Sequence, residues 1–263
     1  YTFLDRNGNG QLDVYEDVEA DIEDRITDLI AQMNVEEKAG MLFSHFLAMN
    51  KDGSLLEIPS VSDPFSFMTE NTSTTLLAKK MNQVQNLSGT SALNYAKWNN
   101  NLQELAERPR LSIPITLLSD PRHGNSEMAG ASTANQWIST WPSQLGLAAT
   151  MDSALVRNFA EIARQEYLAI GIRLAQHPMA DLATDPRWAR ANGTFGEDAE
   201  LSAKLTEAYI LGFQGDSIGK ESELCHVKHF PGGGPQEDGW DAHVASGKNQ
   251  VYPGGKFDYH LSP

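Results

Sequence analysis

The amino-acid sequence predicts an α/β fold on a parallel sheet, and three observations carry that prediction. Short apolar runs, PITLLSD (114–120), IRLAQHPMAD (172–181) and ELCHVKHF (223–230), alternate with long amphipathic stretches, DSALVRNFAEIARQEYLAIG (152–171) and EDAELSAKLTEAYILGFQG (197–215). That alternation is the mark of βαβ units. Both amphipathic stretches close on a glycine, Gly171 and Gly215, as helices often do before turning back. Every apolar run ends in side chains able to hydrogen-bond, at the strand ends where parallel β/α folds place their ligands.

Taken in order, residues 1–17 are polar and rich in Gly and Asn. Apolar residues at helical spacing come next, Ile22, Ile26, Leu29, Ile30 and Met33, and predict a first helix. Asn34 with Glu37 three residues later forms a capping box, so a second helix starts there. Residues 50–75, with Pro59, Pro64 and many Ser and Thr, read as a long loop within a domain rather than a boundary. A helical pattern then runs from about Leu76 to about Glu107, broken near Ser88–Ser91. The strand at 114–120 comes next. The helix at 152–171 carries Leu155, Phe159, Ile162 and Leu168 on one face. Residues 172–181 read as a strand then a loop, and helix 197–215 and strand 223–230 complete the order, with no internal repeat.

The 263 residues are 40% hydrophobic, enough for an ordinary globular core, and carry a net charge of −15. That charge argues against nucleic acid and anionic membranes as partners. No run of 18 apolar residues occurs, so no membrane span is expected. A single cysteine, Cys225, rules out an internal disulfide and a cysteine-based zinc site, and reads as a core thiol.

DRNGNGQLDVYE, Asp5 to Glu16, matches the twelve-residue EF-hand pattern position by position. Asp5, Asn7 and Asn9 would supply side-chain oxygens, Gln11 its backbone carbonyl, Asp13 a contact through water and Glu16 a bidentate carboxylate. Gly10 stands at the sharp turn. Hard oxygen donors at this spacing suit Ca²⁺. Only four residues precede Asp5, so the loop is expected to act as a structural pin for residues 1–17 rather than as a sensor. Millimolar extracellular calcium would keep it filled, which favours an exported protein.

The strand ends are rich in polar groups. Ser119, Asp120, Arg122 and His123 close the first apolar run; His177, Asp181, Asp185 and Arg187 come after the second; Lys228 and His229 lie in the third. There is no glycine-rich phosphate loop and no dinucleotide fingerprint. Charges of both signs converging on one cup suit a neutral polyhydroxylated ligand: carboxylates accept from adjacent hydroxyls while Lys, Arg and His donate. A sugar is the expected ligand. Trp188 and Trp240, beside these motifs, are candidate stacking surfaces.

The stretches LLSDPRHG (117–124), DLATDPRWARANGTFGEDAEL (181–201), KHFPGGGPQEDGWDAH (228–243) and GKNQVYPGG (247–255) closely resemble the N-terminal domain of glycoside hydrolase family 3. The resemblance implies a (β/α) barrel of TIM type, of which residues 18–263 would be only the first half or so. It implies a retaining, exo-acting β-glycosidase, foremost a β-glucosidase, with β-xylosidase or N-acetylglucosaminidase as variants within the class. It also places Asp120, Arg187, Lys228 and His229 around the terminal sugar.

Two departures bear on catalysis. Retaining glycosidases need two carboxyl groups roughly 5–5.5 Å apart. The family's nucleophile is an Asp after a later strand and its usual acid/base a Glu on a second domain; neither segment is found here. No catalytic residue is therefore assigned, and the barrel is expected to be completed by the remainder of the same polypeptide or by a second chain. One branch of the family uses an Asp–His pair after this motif, and Asp241 and His243 stand nearby. Gly233 replaces that branch's His, however, so the segment is expected to be a loop over the pocket. The rival reading is a non-catalytic module that binds sugar and calcium.

Overall fold

The computed structural model of the chain describes residues 3–59, 61, 64–86, 91–124, 137–230 and 232–263. The chain divides into two compact units, Tyr1–Leu117 and Leu118–Pro263.

In the first unit α1 (Ile22–Gln32) starts at Asp21, whose side chain accepts from Glu23 N at 2.9 Å. α2 (Val35–Gly40) opens on the predicted capping box. Glu37 N donates to Asn34 Oδ1 at 2.8 Å, and Asn34 N to Glu37 Oε2 at 2.9 Å. β1 (Ser44–Phe46) runs parallel to β2 (Gln83–Gln85), with Ser44 opposite Gln83. α3 (Ala92–Ala106) buries Tyr95, Trp98, Leu102 and Leu105. β3 (Thr116–Ser119) begins beside β2, Thr116 N donating to Asn82 O at 2.8 Å.

The helix predicted from Leu76 to Glu107 is not one element. A π-helical turn, Thr74–Ala78, is succeeded by β2 and then α3; of the predicted break, residues 87–90 lie outside the described residues. NQVQN has no strong strand preference of its own. Its partners decide: Val84 is buried, Gln83 Nε2 donates to Met41 O and Asn86 Nδ2 to Leu47 O, both at 2.7 Å. The first helix predicted from apolar spacing is α1, but its apolar stripe is not buried. Ile22, Ile26 and Ile30 stay exposed, and of the predicted set only Met33, just past the helix, is buried. The 50–75 loop stays inside the unit as expected, with Thr72 N and Oγ1 both donating to Leu56 O at 3.1 Å.

In the second unit the end of β3 meets the residue after β4 (Ile172–Ala175), Gln176 N donating to Ser119 O at 2.8 Å. α4 (Gln144–Ala148) precedes α5 (Ser153–Ile170). Asp152 caps α5, and Gly171 ends it in the left-handed region at φ +86°. α6 (Ala199–Gln214) is capped by Asp198 and ends at Gly215. β4 pairs in parallel with β5 (Leu224–Cys225), Leu174 opposite Leu224. α7 is the short helix Phe257–His260. The parallel β/α order expected from the sequence is present.

Two details differ from expectation. The buried face of α5 is Val156, Phe159, Ala160, Ala163, Tyr167 and Ile170, whereas Leu155, Ile162 and Leu168 are only partly covered. The small residues let α6 come close: a Cβ on Gly212 would fall 2.4 Å from Ala160 Cβ. The strand predicted over 223–230 shortens to Leu224–Cys225, and Lys228 returns as an isolated parallel bridge to Met179. Cys225 is a free thiol whose pKa burial pushes up.

Candidate functional site

The site is built in the second unit from the segments just beyond β3, β4 and β5. β3 ends by delivering Asp120, which is buried; Lys228 Nζ lies 2.6 Å from its Oδ1. The backbone of Asp120 is fixed as well. Its carbonyl accepts from Ser119 Oγ at 2.8 Å and from Tyr167 OH at 3.1 Å, while Arg122 Nε donates to Ser119 Oγ at 2.6 Å. Lys228 is held by main chain from beyond β4: its N–H donates to Pro178 O at 3.1 Å and its carbonyl accepts from Ala180 N at 2.7 Å.

His229, the next residue, rests on a second carboxylate. Its backbone N–H donates to Asp181 Oδ2 at 3.1 Å, and its Nδ1 lies 3.2 and 3.1 Å from the two Asp181 oxygens. Gly233 N donates to Asp181 Oδ1 as well. Burial alone would raise the Asp181 pKa. The bonds from the His229 ring and from the Gly233 and His229 amides outweigh burial and hold it below the ordinary carboxylate value.

Arg187 is held by other partners. Asp185 grips it in a fork, Nε to Oδ1 at 3.0 Å and Nη2 to Oδ2 at 2.7 Å, and Nη1 reaches Asp238 Oδ1 at 3.3 Å. The fork holds Asp185 at about 2 and raises the guanidinium. The structure thus pairs Asp120 with Lys228, rests the next residue, His229, on Asp181, and gives Arg187 a carboxylate of its own. Asp181, Asp185 and Asp238 carry no individual role that the sequence alone assigns. The i, i+2 spacing of Asp185 and Arg187 could have flagged that pair; Asp181 is visible only as a polar group at a strand end, and nothing local marks Asp238.

The segment from 232 onward lies against residues 181–188. A Cβ on Gly234 would sit 1.7 Å from Leu182 O, and one on Gly239 2.7 Å from Arg187 Cβ. Asp241 binds His243 through both its backbone N–H, at 3.0 Å, and its ring, and accepts from Trp188 Nε1 at 3.0 Å. Partial burial opposes it, but these bonds hold the Asp241 carboxyl at about 2. Trp188, a candidate stacking surface, is only 2% exposed, so its indole is packed away; Trp240 is 53% exposed.

Behind this layer sits His177, wholly buried, its Nδ1 2.6 Å from Tyr209 OH and its Nε2 3.4 Å from Tyr167 OH. Burial lowers its pKa well below the usual value, so the ring is neutral. Tyr167 connects it to the Asp120 carbonyl.

The motifs that build this geometry are those of a known domain. The family described as "Glycosyl hydrolase family 3 N terminal domain" matches residues 36–253. The chain belongs to glycosyl hydrolase family 3. Among its relatives, "Probable beta-glucosidase C" of Aspergillus oryzae is 44% identical over 97% of this chain and 39% of its own length. "Periplasmic beta-glucosidase/beta-xylosidase" of Dickeya chrysanthemi is 39% identical over 100% of this chain, again 39% of its own length. A solved structure of β-glucosidase from Listeria innocua in complex with glucose matches 82% of this chain and 28% of its own, at 26% identity and a TM-score of 0.63. The chain therefore spans about two fifths of the curated relatives named here.

Outside the matched family 3 range lies the Asp5–Glu16 loop. Asp5 accepts from Asn9 N at 3.1 Å and Gly10 N at 2.8 Å, and Gly10 turns at φ +77°. Glu16, buried, folds back to accept from Arg6 N at 2.6 Å, Asn7 N at 3.3 Å and Asp13 N at 3.1 Å. The side-chain N–H groups of Asn7 and Asn9 donate to Asp13 Oδ2 at 2.6 and 2.7 Å. The donor set fits a hard cation in kind, with three carboxylates and two amide oxygens on one short loop. Here those oxygens are turned to N–H partners, and among the described residues no three carboxylates or imidazoles form a metal-holding group.

Proposed function

We propose that this chain is the sugar-binding front part of a retaining, exo-acting β-glucosidase, with Asp120, Lys228, His229 and Arg187 binding the terminal non-reducing sugar. The observation that supports it best is the Asp120–Lys228 pair, a carboxylate and an ammonium 2.6 Å apart, continued directly by His229. Such a pair offers acceptors and donors side by side, which is what neighbouring hydroxyls of a ring require. The pairing in the sugar's absence is compatible with binding, because a hydroxyl can insert between the two groups and satisfy both. Relatives named β-glucosidase, one of them also β-xylosidase, point to the same substrate class.

Hydrolysis with retention needs a nucleophile and an acid/base on either side of the bond. We assign neither to these residues; the remainder of the polypeptide or a second chain supplies them. Asp5, Asn7, Asn9, Gln11, Asp13 and Glu16 are proposed to hold one structural Ca²⁺, which would draw their oxygens inward and fix the start of the chain. Two relatives carry "Periplasmic" in their names, and we take this protein as exported. Among the described residues no helix is long and apolar enough to cross a membrane.

The test uses the whole polypeptide in which this chain occurs, with aryl β-glucoside and β-xyloside as substrates and proton NMR to monitor the released sugar. The expected result is faster turnover of the glucoside, with the β-anomer appearing first. Glucose binding without turnover of either substrate would favour the non-catalytic module, and α-anomer first would overturn retention.

A further inference from the structure

The proposed site uses Lys228, His229 and Arg187 as its nitrogen groups, and Asp181 touches none of the space left for a sugar. Its side chain has no exposed surface, whereas that of His229 is 39% exposed. Both Asp181 oxygens face His229 Nδ1, and the same carboxylate takes the amides of His229 and Gly233. An ionised carboxylate can only accept hydrogen bonds, so the ring nitrogen facing it must carry the hydrogen. A neutral imidazole has one N–H, which leaves the other nitrogen, Nε2, with a lone pair. Among the described residues none hydrogen-bonds Nε2.

We propose that Asp181 is a positioning residue: it fixes His229 as the Nδ1–H tautomer, so that Nε2 meets the sugar as a hydrogen-bond acceptor. This rests on the sugar-site reading above and adds a polarity to it. Lys228 and Arg187 can only donate; a neutral His229 held this way accepts. A hydroxyl that lies between Lys228 and His229 therefore accepts from the ammonium and donates to the imidazole. The position selects a free hydroxyl, and rejects an O-methyl or deoxy carbon there because neither can donate. Were Asp181 only a brace for the turn at Gly233, the tautomer of His229 would be free to adapt to the ligand.

The experiment is a two-bond ¹H–¹⁵N correlation spectrum of the whole polypeptide labelled at histidine, recorded at neutral pH with and without glucose. His229 is assigned by the signal lost in His229→Gln. The expected spectrum shows His229 protonated at Nδ1 and bare at Nε2, with glucose shifting the Nε2 resonance. A wild-type His229 that carries a proton on Nε2, whether or not Nδ1 carries one too, overturns the proposal, and needs no variant to read. Asp181→Asn, which can offer an N–H to Nδ1, is expected to move the proton to Nε2 and to weaken glucose binding roughly two- to tenfold, the loss of one hydrogen bond to a neutral acceptor. An unchanged tautomer in that variant also overturns it. If the wild type shows the Nδ1–H form yet glucose shifts no His229 signal, the positioning geometry stands and the sugar-site reading fails.

Discussion

Lys228 and Asp120 stand 108 residues apart in the chain and 2.6 Å apart in space. Asp120 is 4% exposed and the Lys228 side chain 18%, so this is a largely desolvated pair. Removing Lys228 takes its ammonium partner from the buried Asp120 carboxylate. Lys228→Met is expected to destabilise the whole polypeptide by about 1–3 kcal/mol, below the range for fully buried pairs because Lys228 keeps some solvent. Adding Asp120→Asn should recover part of that loss, while sugar affinity stays low in both. Urea unfolding of the two single variants and the double variant checks this; strictly additive losses would mean that the pair carries no coupling.

Glu223 is fully buried, and neither of its carboxyl oxygens has a hydrogen-bond partner. Burial raises its pKa to about 8, Arg173 offsetting only part of the effect. The folded chain therefore holds a proton that the unfolded chain releases near its ordinary value of 4.5. Stability from this group is complete below pH 4.5, falls as pH rises, and levels off above about 8. Glu223→Gln, neutral throughout, is expected to gain on the wild type over that window by on the order of a few kcal/mol. Urea midpoints at acid, neutral and alkaline pH measure it; parallel curves for the two proteins would refute the buried-acid account.

The Asp5–Glu16 loop should couple metal to stability and leave the chemistry alone. Calcium at about a hundred times its dissociation constant would stabilise the native protein by about 2.7 kcal/mol. A chelator is expected to lower the calorimetric melting temperature by a few degrees, and calcium but not magnesium to restore it. Glu16→Gln should mimic the chelator. An unmoved melting temperature after chelation removes the calcium assignment.

Arg187 is forked onto Asp185, a geometry that an ammonium cannot copy. Arg187→Lys is expected to raise KM for the aryl glucoside about tenfold or more, with a smaller change in kcat, since a binding contact is lost rather than a reacting group. Gly239→Ala, whose new methyl would press on Arg187 at a backbone φ of +72°, should shift KM in the same direction. A fall in kcat alone for Arg187→Lys would place Arg187 in the chemical step instead.

Much of this molecule is legible in its sequence for a local reason. Asn34 with Glu37, Gly171 and Gly215 are cap signals, and each marks a helix end that is found. Asp120 can be placed because it directly succeeds an apolar run. Where the deciding partner is distant, the signal fails. β2 is a strand because of β1, some forty residues earlier, and the alanine face of α5 is chosen by Gly212. The same holds at the site. Lys228 and His229 are visible as adjacent polar residues, but the carboxylate that each rests on is brought in by the fold. The exposed isoleucines of α1 are a different case: their spacing fits a helix, and nothing in that spacing says what the stripe faces.

His229 and Gly233 lie in a stretch with little regular structure, where main-chain N–H groups ordinarily trade hydrogen for solvent deuterium within moments. Both of theirs end on the oxygens of Asp181, a side chain with no surface of its own. Their exchange is then gated by how often that carboxylate is uncovered, not by fraying of a ladder. Two slow amides in an otherwise fast segment would be a signature of a turn as rigid as a strand, held by a single anion at its centre.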